Sequence, residues 1–267
     1  MTVRKWIRNR EISGLPTFSI DDAELSFPDH SEQVIRNELF RLSSQGIILP
    51  VYRGFYAIIP PQYAAKRMIP PIYYIDQLMS YLNKPYYISL MNAAEILGAA
   101  HQRPQKFSIM TVFPKSSVSP SKNKTLVWGY RKEIPSDFLL SKNSETGVVY
   151  YSNAELTAID VVQYEQYVGG LPRAATILAE LAEKLDFRGA SDNLFNYTST
   201  ATIQRLGYIL EEILEQKEVA DVLYAELMTN VKRFRYVPLS TRKSDENAEK
   251  NTRWKVNINS IIETDDL

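Results

Sequence analysis

Hydrophobic positions along the 267-residue chain recur with two different periods. Val3, Trp6, Ile7 and Ile12 lie at helical spacing and stop at Ser13-Gly14-Leu15-Pro16, which predicts a first helix. Phe18-Ser19-Ile20-Asp21 leads into a short helical stretch over 22–26, closed by Pro28. A longer helix follows in SEQVIRNELFRLSSQ. Ser31 suits its N-cap, Glu32 the dipole of its first turn, and Gly46 its C-terminal stop. The run IILPVYRGFYAII then reads as two short strands with Tyr52-Arg53-Gly54 at the bend, and Pro60-Pro61 closes the unit.

Beyond a connecting stretch the pattern changes. Helices are predicted over 73–82 and 88–97, separated by Asn83-Lys84-Pro85. Strands are predicted over 107–113, 126–130 and 148–151, with the polar loop PKSSVSPSKNK between the first two. Helices follow over 154–167, 172–185, 203–214 and 219–228, and two tail strands over 234–239 and 254–258 flank the charged loop STRKSDENAEKNT. The fold class this predicts is α+β. It divides into a winged helix-turn-helix domain at 1–61, a connector at 62–71 and a larger mixed α+β domain at 72–267.

The order helix, short helix, turn, longer helix, β-hairpin is that of a winged helix-turn-helix domain, and its third helix tests the reading. Val34, Ile35, Leu39 and Leu42 fall in one apolar stripe, the expected core face. Gln33, Arg36, Asn37, Phe40 and Ser44 point away from it, with Arg41 at the flank. Gln and Asn pair bidentately with adenine and Arg with guanine, so such a face suits a major-groove reader. Arg53 at the hairpin bend is expected to hold phosphate, as are Arg4, Lys5, Arg8 and Arg10 of the first helix. The outer face of any amphipathic helix is polar, however, and a winged helix can also serve protein contacts alone.

Charge sharpens this picture. The chain is neutral overall, 31 Lys+Arg against 31 Asp+Glu. Residues 1–132 nevertheless hold 17 basic and 9 acidic residues, a balance of +8, and residues 133–267 hold 14 and 22, a balance of −8. From His101 to Lys132 there are seven basic residues and no acidic one. Such asymmetry suggests an anion-facing front half. Within that segment Lys115, Lys122, Lys124, Arg131 and Lys132 form a second expected contact surface, for nucleic acid or a protein partner, beside the plainer reading of a solubilising loop.

Other chemistry is thinly represented. There is no cysteine, which removes disulfides, thiolate catalysis and Cys-ligated zinc. His30 reads as a turn residue and His101 as a helix-end residue, and neither belongs to a metal-binding pattern, so no metal site and no cofactor are expected. Phosphate-binding glycine loops and the GxSxG elbow are absent from the sequence. The carboxylates Asp160, Glu165, Glu180, Glu183, Glu211 and Glu212 read as solvated helix faces, and Arg205 as an internal salt-bridge partner. The tyrosine pairs at 73–74, 86–87 and 150–151 read as packing residues. No apolar run reaches the length of a membrane span, and the basic first ten residues lack the apolar core of a secretion signal, so a cytoplasmic protein is expected.

Several of these residues also occur in a recognisable succession. Arg36-Asn37-Glu38-Leu39-Phe40-Arg41-Leu42, Gly46-Ile47 and Val51-Tyr52-Arg53-Gly54-Phe55-Tyr56 are followed by KPYYISLMNAAEILGAAHQRPQKFSIMT, NAELTAIDVVQYEQYVGGL and QRLGYILE. In this order the motifs resemble AbiEi-type antitoxins of type IV toxin–antitoxin and phage-abortive systems, over roughly residues 1–260. The resemblance implies two roles. The winged helix would repress its own operon by binding inverted repeats in double-stranded DNA. The larger domain would counteract a nucleotidyltransferase-like toxin without a stable complex. Gln33, Arg36, Asn37, Arg41 and Arg53 are the matched positions for the first role. No catalytic motif carries over for the second, so the chain is expected to be a regulator and not an enzyme, monomeric in solution with two copies on DNA. Two rival classes remain: a nuclease or other nucleic-acid-modifying enzyme delivered by a winged helix, and a protein-interaction adaptor.

Overall fold

The structure, a computed structural model, describes residues 1–99, 104–115, 125–189 and 191–263. Lys122, Lys124 and His101 lie outside them. The first elements are α1 (Val3–Ile12), β1 (Thr17–Ser19), α2 (Ile20–Ser26), α3 (Glu32–Ser44), β2 (Ile48–Tyr52) and β3 (Phe55–Ile58). Local chemistry sets their ends. The Thr2 side chain caps α1, and Ser19 and Asp22 form a reciprocal capping box on α2. The Ser31 hydroxyl accepts from Val34 N–H at the start of α3. At its other end Gly46 takes φ +72°, while Gly46 N–H and Ile47 N–H donate to the carbonyls of Ser43 and Leu42. That is a Schellman stop, which glycine adopts without steric cost.

β3 lies between β1 and β2 in an antiparallel sheet, with Thr17 opposite Ala57 and Ile48 opposite Ile58. β1 was not expected from the sequence: its three residues are all buried, so no alternation marks them. Helices and sheet enclose one apolar cluster that includes Trp6, Phe18, Phe27, Ile35, Leu39 and Leu42. The Trp6 ring meets Phe18 edge-on at 5.1 Å and Phe27 at 5.9 Å. Val34, expected in this core, is instead 50% exposed. At roughly 100° per residue it lies about 80° beyond Leu42, outside the narrower stripe that Ile35, Leu39 and Leu42 bury.

Next come α4 (Ile75–Tyr81), β4 (Tyr86–Ile88), α5 (Leu90–Ile96), β5 (Phe107–Val112), β6 (Leu126–Arg131), β7 (Leu139–Ser144) and β8 (Gly147–Ser152). The strands form a sheet in the order β6-β5-β4-β8-β7, with β4 and β8 parallel. The helix expected over 88–97 thus begins as the end of a strand, and β7 is new. The remaining helices are α6 (Ala154–Gln163), α7 (Glu165–Val168), α8 (Leu171–Leu181), α9 (Ser191–Leu194), α10 (Thr200–Tyr208) and α11 (Lys217–Asn230). The single helix expected over 154–167 is broken at Tyr164, whose φ −114° and ψ 36° are not helical. A π turn over Ile209–Ile213 follows α10. The tail holds β9 (Val237–Pro238), β10 (Glu249–Asn251) and β11 (Val256–Ile258), ordered β10-β11-β9.

The chain forms two compact units. The first comprises residues 1–86, 111–132 and 141–150, the second residues 87–110, 133–140 and 151–267. The second is built on the helical core around Ile159, Leu178, Leu206 and Trp254. Two carboxylates expected on solvated faces are buried there. Asp160 accepts a 2.7 Å hydrogen bond from the Tyr87 hydroxyl, and Glu165 is 5% exposed. α6 is buried around most of its circumference, so an acid on it has no route to water. Arg205 is buried as well; burial pulls its pKa down and the Glu165 carboxylate opposes that shift. Among the described residues no helix is long and apolar enough to cross a membrane.

Candidate nucleic-acid interface

α3 presents Gln33, Arg36, Asn37, Phe40, Arg41 and Ser44 outward, because Ile35, Leu39 and Leu42 turn its opposite side into the core. Gln33 Nε2 donates to Asn37 Oδ1 at 2.9 Å. Arg36 Nε donates to Glu32 Oε1 at 2.6 Å one turn earlier, and Arg41 Nε to Glu38 Oε2 at 2.8 Å. Donating to the Glu32 carboxylate raises the Arg36 pKa, and accepting from Arg41 lowers that of the Glu38 carboxyl. Both arginines of the helix are therefore held by carboxylates, the exposed Glu32 and the half-buried Glu38, that a stronger anion can replace.

The wing is the tight β2–β3 turn at Arg53-Gly54, where Gly54 takes φ +74°. It brings Arg53 toward Arg36: both line one open cleft of about 500 Å³, with Ile20, Tyr52, Gly54, Tyr81 and Leu82. Tyr81, from α4, was not anticipated. Its ring lies 5.0 Å from Phe55, and its hydroxyl donates to the Arg53 carbonyl at 3.5 Å. Burial raises the Tyr81 pKa, Asp21 and Tyr52 add to that, and Arg53 opposes it. Nothing in the sequence near position 81 signals this, because the contact joins residues 28 apart.

The other expected residues distribute unevenly. Lys5 and Arg8 are exposed on α1 and do not line the cleft. Arg4 hydrogen-bonds the Gln45 side chain at the far end of α3. Arg10 is committed internally, donating to Thr17 O at 2.8 Å and lying 5.0 Å over the Trp6 ring. Lys115 sits 5.7 Å from the Tyr130 ring and Lys132 is exposed. Arg131, expected on the same contact surface, is only 5% exposed at the end of β6. Strand alternation turns it inward, so it does not belong to an exposed surface.

Comparison with known proteins adds to the geometry. Residues 87–212 match the model of the AbiEi antitoxin C-terminal domain. The chain carries an AbiEi-type antitoxin domain. The match includes β4, α5 and the succession from β8 to the π turn, the heart of the second unit. Among solved structures, the crystal structure of the RV2827C protein from Mycobacterium tuberculosis aligns with a TM-score of 0.65 and 15% identity. The alignment covers 94% of this chain and 90% of that one. That likeness shows a shared fold extending well beyond the antitoxin domain. No curated protein matches the chain.

Proposed function

We propose that this AbiEi-type antitoxin also represses transcription of its own operon, reading double-stranded DNA with the outward face of α3 and gripping phosphate with the wing. The observation that carries the reading is the placement of Arg36 and Arg53 on one cleft, with Gln33 and Asn37 beside Arg36 on the same helix. α3 enters a major groove, its amide and guanidinium side chains meet base edges, and Arg53 holds the flanking backbone. The exposed Phe40 ring, on the same face, suits a thymine methyl. Arg4, Lys5, Arg8 and Arg41 supply outlying phosphate contacts, with Lys115 and Lys132 a separate surface for nucleic acid or partner.

In this reading residues 1–61 are the DNA-binding domain, 62–71 the connector and 72–267 the antitoxin domain. Two monomers occupy an inverted repeat, with half-sites separated by about one helical turn. The chain acts in the cytoplasm as a regulator without catalysis of its own, and counteracts a nucleotidyltransferase-like toxin without holding it in a stable complex.

Gel-shift titration of the purified protein on the DNA upstream of its operon tests the first part. Arg36→Ala should weaken specific binding roughly tenfold or more, the worth of a bidentate base contact, without changing the thermal melt. Arg53→Ala should lower the slope of log affinity against log salt by about one unit. Wild-type affinity in both variants would refute the interface. Magnesium-dependent cleavage of DNA or RNA by the purified protein would favour an enzyme instead.

A further inference from the structure

The acidic half of the chain contains a basic island. Residues 232–255 hold 8 Lys+Arg and 3 Asp+Glu, a balance of +5, whereas the rest of residues 133–267 holds 6 and 19, a balance of −13. The island builds the tail sheet of β9, β10 and β11, within the second unit, and lies C-terminal to the residues that match the antitoxin domain. Like charges gathered on one segment repel one another in the folded state, and a bound counter-charge relieves that cost.

Strand register gathers the island onto a face. Val256 is fully buried in the helical core, so its side of the sheet points inward. Asn257 follows it and points outward, and Lys250 and Pro238, paired with Asn257 from either side, share that outer face. Two contacts tie cations to rings there. The Lys250 Nζ lies 5.4 Å over the Tyr236 ring. The Lys255 Nζ lies 4.8 Å over the Phe234 ring and donates to the Phe234 carbonyl at 3.1 Å. Two ammonium groups and two rings thus meet along residues 234–236, where the Tyr236 side chain is 41% exposed. Lys232, Arg233 and Arg235 are exposed on the same segment, and none of these five cations has an ion pair among the described residues. Nearby carboxylates are engaged or turned away. Glu211 and Asp221 hold Arg253, Glu212 accepts from Asn251, and Asp245 accepts from Asn257. Glu249 stands opposite Ile258 on the inward side, which leaves Glu246, exposed in the loop.

From this face of cations set against rings we infer that the tail sheet binds single-stranded RNA. Bases stack on Tyr236, while Lys232, Arg233, Arg235, Lys250 and Lys255 follow the phosphates. Stacking of a base on an aromatic side chain outweighs an exposed cation–π contact, so a base takes the Tyr236 ring and frees Lys250 for a phosphate. An acidic peptide would satisfy the cations but leave the rings unused. Single strands with unstacked bases are the usual form in which RNA is recognised, which favours RNA over DNA. The inference does not depend on DNA reading by α3, since the tail face shares no residue with α3 or the wing.

Fluorescence anisotropy tests it, by titrating the full-length protein into a labelled, unstructured RNA of about 12 nucleotides, its deoxyribose counterpart, and the RNA with polyglutamate as competitor. The RNA should bind at low salt, with log affinity falling linearly against log salt. Tyr236→Ala should weaken binding roughly tenfold, and Tyr236→Phe, which keeps the ring, should bind like the parent. Lys250→Gln, at an exposed position, should lower the salt slope by about 0.7 unit. Absence of RNA binding at about 50 mM salt overturns the inference. So does parental affinity in Tyr236→Ala, or DNA bound as tightly as RNA. Displacement of the RNA by polyglutamate at equal charge would replace it with an acidic protein partner. Arg36→Ala should bind the RNA like the parent, and loss of RNA binding there would move the site to α3 and overturn the tail assignment. Promoter affinity of the tail variants, expected to be unchanged, keeps this outcome distinct from failure of the DNA-reading role.

Discussion

On α3 the two arginines arrive already engaged. Glu32 and Glu38 hold Arg36 and Arg41 along the helix surface, so under the proposed function DNA would have to displace a carboxylate before a guanidinium reached a base or a phosphate. Removing the competitor should therefore help. Glu32→Gln is expected to tighten promoter binding roughly two- to fivefold, the scale of an exposed ion pair, and gel shift at fixed salt reads it directly. Unchanged or weaker affinity would show that Arg36 does not meet the DNA. The outward placement of Gln33, Arg36 and Asn37 was legible in the sequence because helical period alone decides which side Ile35, Leu39 and Leu42 bury. The exposure of Val34 was not, since the width of the buried stripe depends on what packs against it. Tyr81 was illegible for the same reason: it owes its position to a residue far along the chain.

Among the elements, α10 shows how tightly the tail is bound to the helical unit. Gly207 lies under the Trp254 ring, where an added Cβ would fall 2.1 Å from ring carbons. Trp254 itself is fully buried, and its Nε1 donates to Glu211 Oε2 at 2.6 Å. Gln204, one turn before Tyr208, donates to the carbonyls of Trp254 and Arg235 at 2.8 and 2.9 Å. Alanine has the better helix propensity, yet Gly207→Ala is expected to destabilise the protein by about 1–3 kcal/mol through overpacking, lowering Tm by several degrees. Differential scanning calorimetry checks the sign; a raised Tm would mean that the ring can move aside. The long helices were legible as elements because their periodicity runs over several turns. β1, β7 and β10 were not. β1 is three buried residues and β10 three mostly exposed ones, so neither alternates, and both are specified by the strand that pairs with them.

At the scale of the whole molecule, tyrosine chemistry sets an alkaline limit. Tyr56, Tyr73, Tyr81, Tyr86 and Tyr208 all have raised pKa values, in each case chiefly through burial. The folded state keeps these protons where an unfolded chain gives them up at about pH 10. Their contribution to stability is therefore complete below that pH and is lost as pH rises through it toward the higher folded values. Denaturant midpoints should fall steadily above about pH 10, and ultraviolet absorbance should show phenolate appearing late in native protein. A spectrum matching free tyrosine would contradict this. The pairing of β4 with β8, which sets Ile88 opposite Tyr151, could not be read from local pattern, nor could the passage of the chain back and forth between its two units. That passage gives the molecule an order of birth. The apolar cluster of the winged helix draws only on residues between Val3 and Ile58, whereas the first unit as a whole needs the chain out to Tyr150 and the second needs it to the end. At a synthesis rate of about 5–20 residues per second, the first cluster can close while the ribosome still has roughly ten seconds or more of translation ahead. The nascent chain thus carries a finished winged helix well before its antitoxin domain exists.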